Sequence, residues 1–277
     1  MIFPILGIFF LLHFFTPLLA QNHWDHVLPE KTENKTYLVF AENVNVRKQA
    51  DIKSEIITKL QPGDKVKILK KLSLSFSQNK MKEYWYQIQS NDKSGFVWGS
   101  LLADSYAEIG DFKILIRNPG AATKKLEFKT LKEGKVYSIL NTNPGPVANE
   151  EWKFNIYKSD SFSPNPGHLL GFRYLVYSEI EYAQAEETVF RIDEKGKTTE
   201  FFTWYPGACD PPSCMETWLV FPGDILVNDP SIARKEYKGQ PNSILEITRS
   251  YDLDDVSINE FSVSLKKWNG KKLMDVK

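Results

Sequence analysis

Between residues 36 and 103 apolar and polar positions alternate in short runs, with turn residues between them. Val44 and Val46 alternate with Asn43, Asn45 and Arg47, which puts both valines on one face of a strand. Ile56 to Leu60 forms a second run and leads into Pro62-Gly63-Asp64. Pro62 fixes φ at the second turn position and Gly63 accepts positive φ, so a type II turn is predicted. Val66 and Ile68 begin another strand. Leu72, Leu74 and Phe76 then recur at period two before Ser77-Gln78-Asn79-Lys80. That pattern predicts an elongated hairpin arm over 70–83, with its tip near Asn79. Tyr84 to Gln89 returns as a strand, residues 91–95 turn the chain, and Phe96-Val97-Trp98 is the last long strand. Gly99-Ser100-Leu101-Leu102 fits a short helical turn.

A polar junction over 104–110 marks the expected domain boundary. Beyond it short apolar runs resume, among them 112–117, 136–140, 152–157, 169–180, 198–204, 218–221, 244–248 and 256–268. Residues 193–197 read as a hairpin turn, and 222–242 as a polar connection. Asn269-Gly270 predicts a two-residue type I′ hairpin, because both central positions of that turn need positive φ. No segment after Asp111 carries a long helical stripe. The predicted class is all-β: a small barrel over 36–104, then a larger antiparallel β domain over 111–277, a sandwich or a propeller-like stack.

The first region resembles the bacterial SH3-like domain, a small barrel of five or six strands common in exported proteins. Asn45-Val46-Arg47 matches its opening strand. Leu60, Gly63 and Val66 match its Leu-x-x-Gly-x-x-Val pattern, and Trp85, Tyr86 and Ile88 match its Trp-Tyr-x-Ile strand. Gly95, Val97 and Leu102 match its closing pattern, with Phe96 where the family usually has Trp. The arm over 70–83 is longer than the family's, and Trp98 stands where a polar residue is more usual. The resemblance implies recognition of cell-wall peptides or of partner proteins. Alternation sets Tyr84 and Tyr86 on one face of their strand and Trp85 on the other, and pairs Phe96 with Trp98. Tyr86 and Trp98 are the candidate ligand contacts.

The leader bears on compartment. Residues 1–20 carry no Lys, Arg, Asp or Glu, are apolar up to Pro17, and end on the small Ala20. This reads as an export signal cleaved after Ala20, with an uncleaved anchor as the alternative. Residues 21–35 are polar and read as a linker. Export would let a disulfide persist, and Cys209 and Cys214 are the two cysteines of the chain. They flank Asp210-Pro211-Pro212-Ser213 and are expected to pair; zinc would need further ligands from scarce histidines. The chain has 35 Lys+Arg and 35 Asp+Glu, so no basic excess points to nucleic acid.

Enzymatic patterns are sparse. A Cys–His hydrolase needs a thiolate beside an imidazole. The two cysteines are committed to each other in this reading, and after the leader the histidines are His23, His26 and His168. No His-Glu-x-x-His, Gly-x-Ser-x-Gly or phosphate-cradling loop occurs. Two acid pairs, Glu179 with Glu181 and Asp252 with Asp254, share strand faces if their segments are extended. They are the carboxylates a glycosidase-like site would use. Expected, then, is an exported, non-catalytic envelope protein without metal or cofactor, binding a cell-wall peptide or an envelope protein. A carboxylate hydrolase in the second domain and a structural subunit of an envelope assembly are the alternatives.

Overall fold

The computed structural model describes residues 31–79, 81–119, 125–142, 147–177, 183–227, 236–255 and 259–276. Among them strands dominate, and no α-helix occurs. The first sheet holds β1 (Thr36–Leu38), β2 (Val44–Arg47), β3 (Ile56–Leu60), β4 (Lys65–Gln78), β5 (Met81–Ser90) and β6 (Lys93–Trp98). Their order is β1-β4-β5-β6-β2-β3, with Gly99–Leu101 as a 3-10 turn after β6. The alternation read in the sequence builds its core: Val44, Val46, Leu60, Val66, Ile68, Ile88 and Val97 point inward together. Gly63 takes φ +88° after Pro62, as the turn chemistry requires. Gly95 lies where a Cβ would sit 2.6 Å from Val46 and 2.7 Å from the Arg47 carbonyl, so its missing side chain lets β6 close on β2.

Residues 31–35 are not a free linker. Asn34 N–H donates to the Ile68 carbonyl at 2.8 Å, and Ile68 N–H donates to Lys35 at 2.9 Å, which stitches this segment along β4. The junction after the barrel is structured too. β7 (Ser105–Ile109) pairs with β8 (Phe112–Arg117), followed by β9 (Leu126–Lys132) and β10 (Lys135–Thr142), in the order β10-β9-β8-β7. The second unit therefore starts at Ser105, where the polar composition had suggested a connection.

An eight-stranded antiparallel sheet completes the structure. It runs β11 (Val147–Tyr157), β12 (His168–Tyr177), β13 (Ala183–Ile192), β14 (Thr198–Asp210), β15 (Ser213–Val220), then β18 (Ser243–Asp252), β19 (Asn259–Trp268) and β20 (Leu273–Val276). β16 (Ile225–Val227) and β17 (Glu236–Lys238) form a small ribbon between β15 and β18, inside the stretch expected to be polar loop. The Asn269-Gly270 turn also departs from expectation. The register leaves four residues between Trp268 and Leu273, and the Asn269 side chain accepts from the Lys271 and Lys272 N–H groups. Asn269 fills its bonding capacity that way without the positive φ of a type I′ turn.

The four-stranded sheet is buried on both faces. Phe112, Ile114, Ile116 and Phe128 pack on Leu170, Phe172, Tyr174 and Phe190 of the large sheet. From the other face Leu115 and Leu131 pack on Leu38, Phe40 and Ala103 of the barrel. The second half is thus a sandwich of four strands on eight, with the barrel against its outer layer. The far face of the large sheet carries a third core of Leu169, Val189, Trp204, Phe221, Ile244 and Trp268.

Candidate functional site

Tyr86 and Trp98, the residues expected to face a ligand, lie inside the barrel unit. Tyr86 is 0% exposed and Trp98 4% exposed. The long arm is the cause. It folds Phe76 over the outer face, with ring centroids 5.1 Å from Trp98 and 6.3 Å from Trp85. Both faces of β5 are therefore covered, Tyr86 by the barrel and Trp85 by the arm. Trp98 spends its indole N–H on the Glu83 carbonyl at 3.0 Å.

Around Tyr86 the barrel holds a buried polar network that the sequence did not announce. The Lys31 N–H donates to the Tyr86 hydroxyl at 3.1 Å, and that hydroxyl donates to Glu83 at 3.2 Å. The Lys31 ammonium pairs with Asp104, both side chains being 2% exposed. Gly99 makes the room: a Cβ there would lie 2.5 Å from the Tyr86 ring and 2.6 Å from Glu83. Burial pushes the Glu83 carboxyl above its usual range, although the charge of Lys31 and the Tyr84 N–H pull it back down. The folded state then holds the Glu83 proton more tightly than the unfolded chain does. The resulting stability is full below the ordinary glutamate value of 4.5 and is lost as pH rises through the raised native value. Glu83→Gln keeps an acceptor and removes the charge. It is expected to match or exceed the native protein in Tm at neutral pH, with the difference shrinking on acidification. A variant that is less stable at neutral pH, with the deficit shrinking on acidification, would show that the ionised form is the favoured one.

β3 is an edge of the barrel sheet, paired among the described residues only to β2. The loop between these strands is ordered by its own bonds: Lys48 N–H to Glu55 O, Gln49 N–H to Ser54 Oγ, and the Arg47 guanidinium to Ser54 O at 2.7 Å. It presents Ile52, and β3 opens beside it with Ile56, the two being 50% and 44% exposed. An unpaired strand edge beside apolar side chains is the arrangement to which an extended peptide adds.

A second concave region lies on the far face of the large sheet. Alternation on β12 and β13 puts Arg173 and Glu187 side by side on that face, directly opposite in register. Glu187 is 0% exposed. Its carboxylate accepts from Arg173 Nε at 2.9 Å, Asn155 Nδ2 at 2.9 Å and the Tyr157 hydroxyl at 2.5 Å. Gly171 is needed beside it, since a Cβ there would sit 2.0 Å from Glu187 Oε1. Burial, then the charge of Glu187 and the hydrogen bond to it, pushes the Tyr157 phenol above its usual range and keeps it a donor. Arg173, Asn155 and Tyr157 line a recess of about 540 Å³ together with Trp204, Glu216 and Trp218.

The other expected residues are dispersed. Cys209 and Cys214 are bonded and face each other near the tip of the β14–β15 hairpin. Asp252 ends β18, but Asp254 lies in the bend beyond it, and Asp252 Oδ1 accepts from the N–H groups of Asp254 and Asp255. That turn does not set the two carboxylates on one strand face. Glu179 and Glu181 lie outside the described residues, as do the leader, His23 and His26. His168 is exposed, with its ring edge-on to Phe112. Among the described residues no group of three or more His, Cys, Asp or Glu is placed to hold a metal ion. No described helix is long and apolar enough to cross a membrane. No curated protein and no solved structure matches the chain. A family model does match the six-stranded unit: residues 42–103 fit the bacterial SH3 domain, and that part of the chain is a bacterial SH3-like barrel.

Proposed function

We propose that the protein is an exported, non-catalytic binding protein of the cell envelope whose SH3-like barrel takes an extended cell-wall peptide. The observation that carries this reading is the match of residues 42–103 to the bacterial SH3 domain, a module with a binding role. The free β3 edge and the exposed Ile52 and Ile56 supply the docking surface. Interior Tyr86 and Trp98 act as its support. The Cys209–Cys214 bond suits a compartment outside the reducing cytoplasm.

Removing the barrel would be a poor test, because it would bare the outer face of the four-stranded sheet. Surface variants of the whole chain are better. The intact protein is expected to be retained on insoluble peptidoglycan. Ile52→Asp with Ile56→Asp is expected to cut the retained fraction several-fold, about 1 kcal/mol or more per lost apolar contact, with Tm unchanged. Absence of retention by the native chain would overturn the proposed ligand. Equal retention by the double variant would move the contact off this edge.

A further inference from the structure

We infer that the recess on the far face of the large sheet is a second ligand site, one that takes a carboxylate borne on a small organic body. The argument begins with Arg173. Its Nε is committed to Glu187, whereas its two terminal nitrogens have no hydrogen-bond partner among the described residues. The side chain is 33% exposed and lines the recess. A guanidinium anchored through Nε is held in one orientation, and its remaining fork matches a carboxylate in two parallel hydrogen bonds. Glu187, Asn155 and Tyr157 fix that orientation from beneath.

A second, independent observation points the same way. Trp204 also lines the recess, is 5% exposed, and has a buried indole N–H with no acceptor among the described residues. An unsatisfied buried donor is a cost that a ligand oxygen relieves once the ring turns its N–H toward the recess. The Arg173 guanidinium lies 5.5 Å from the Trp204 ring centroid, so the two side chains meet in one corner of the recess. Trp218, Leu219 and Leu226 add an apolar wall for the body of the ligand. The volume of about 540 Å³ falls within the range of small-molecule sites. Glu187 offsets much of the Arg173 charge, and Glu216, which also lines the recess, is met by Arg249 at 3.7 Å. The site is close to neutral, so recognition rests on donor geometry and affinity belongs in the millimolar to high-micromolar range.

A peptide C-terminus and a sugar acid share this chemistry, and the test separates them. The full chain is titrated with N-acetylalanine, its uncharged amide and glucuronate, and the tryptophan indole N–H resonances are followed by NMR. At least one of the two acids is expected to saturate and to shift the Trp204 N–H. The amide is expected to bind about ten-fold or more weakly than its acid, and Arg173→Lys to weaken the acid by a similar factor. Lysine keeps a cation beside Glu187 and removes the fork, so Tm should hold. Trp218→Ala, which leaves the ion pair untouched, is expected to weaken the acid several-fold without moving Tm. Which acid binds identifies the source of the carboxylate. Equal binding of acid and amide, undiminished binding by Arg173→Lys, or no saturation by either acid would overturn the assignment.

Discussion

Arg173→Ala is expected to lower the unfolding free energy by about 3–5 kcal/mol, because it leaves a buried carboxylate without its counter-charge. Glu187 has no exposed surface, and two of its donors, Asn155 and Tyr157, are neutral. They can orient the ion but cannot cancel it. Replacing both partners, as in Arg173→Met with Glu187→Met, removes the orphaned charge and is expected to recover most of the loss. Chemical denaturation of the two variants beside the native chain measures this directly. A single variant within about 1 kcal/mol of native would mean that water reaches Glu187. For a chain stabilised by about 5–15 kcal/mol, the expected loss is a large share of the whole.

Asp104→Ala is expected to cost a comparable amount, about 3 kcal/mol or more. Asp104 carries two roles at one joint. Its carboxylate pairs with the Lys31 ammonium, and it also accepts the Asn118 N–H at 2.6 Å. Truncation strands a 2% exposed ammonium and removes the Asp104 acceptor of the Asn118 N–H. Lys31→Met combined with Asp104→Ala is expected to be milder than Asp104→Ala alone, since neither member of the ion pair is left without the other. If the double variant were the less stable, the ion pair would be a net source of stability in its own right.

Strands were more legible in this chain than surfaces. The alternation at Val44 and Val46 placed β2, the Pro62-Gly63 pair placed its turn, and Leu72 to Phe76 placed the arm with its tip at Asn79. Period two says which residues share a face, but not whether that face is covered. Tyr86 and Trp85 lie on opposite faces of β5; the barrel core buries Tyr86, and Phe76 comes back over the outer face to bury Trp85. A covering made by a distant segment leaves no trace in local periodicity. β7 was hidden for a related reason: Ser105, Tyr106 and Glu108 read as polar junction, while Ala107 and Ile109 supply its buried face.

The charged interior was the least visible part. Lys31, Glu83 and Asp104 are far apart in sequence, and their meeting depends on barrel closure. Arg173 and Glu187 did leave a signal. Leu169, Gly171 and Arg173 share one strand face, as do Glu187 and Val189 on the next, so a charge stands on each face beside buried aliphatics. Two opposite charges at such positions on adjacent strands are expected to meet, but only once the register is known.

The strand β8 has one further consequence. Ile114 and Ile116 belong to the core shared with the large sheet, while Leu115 between them belongs to the core shared with the barrel. A single backbone is thus the common wall of two hydrophobic rooms. A protease nick or a gene truncation at residue 104 would not release two independent modules, because each half would carry away a bare oily surface. Strain applied to the barrel by any bound partner would pass directly into the sandwich behind it.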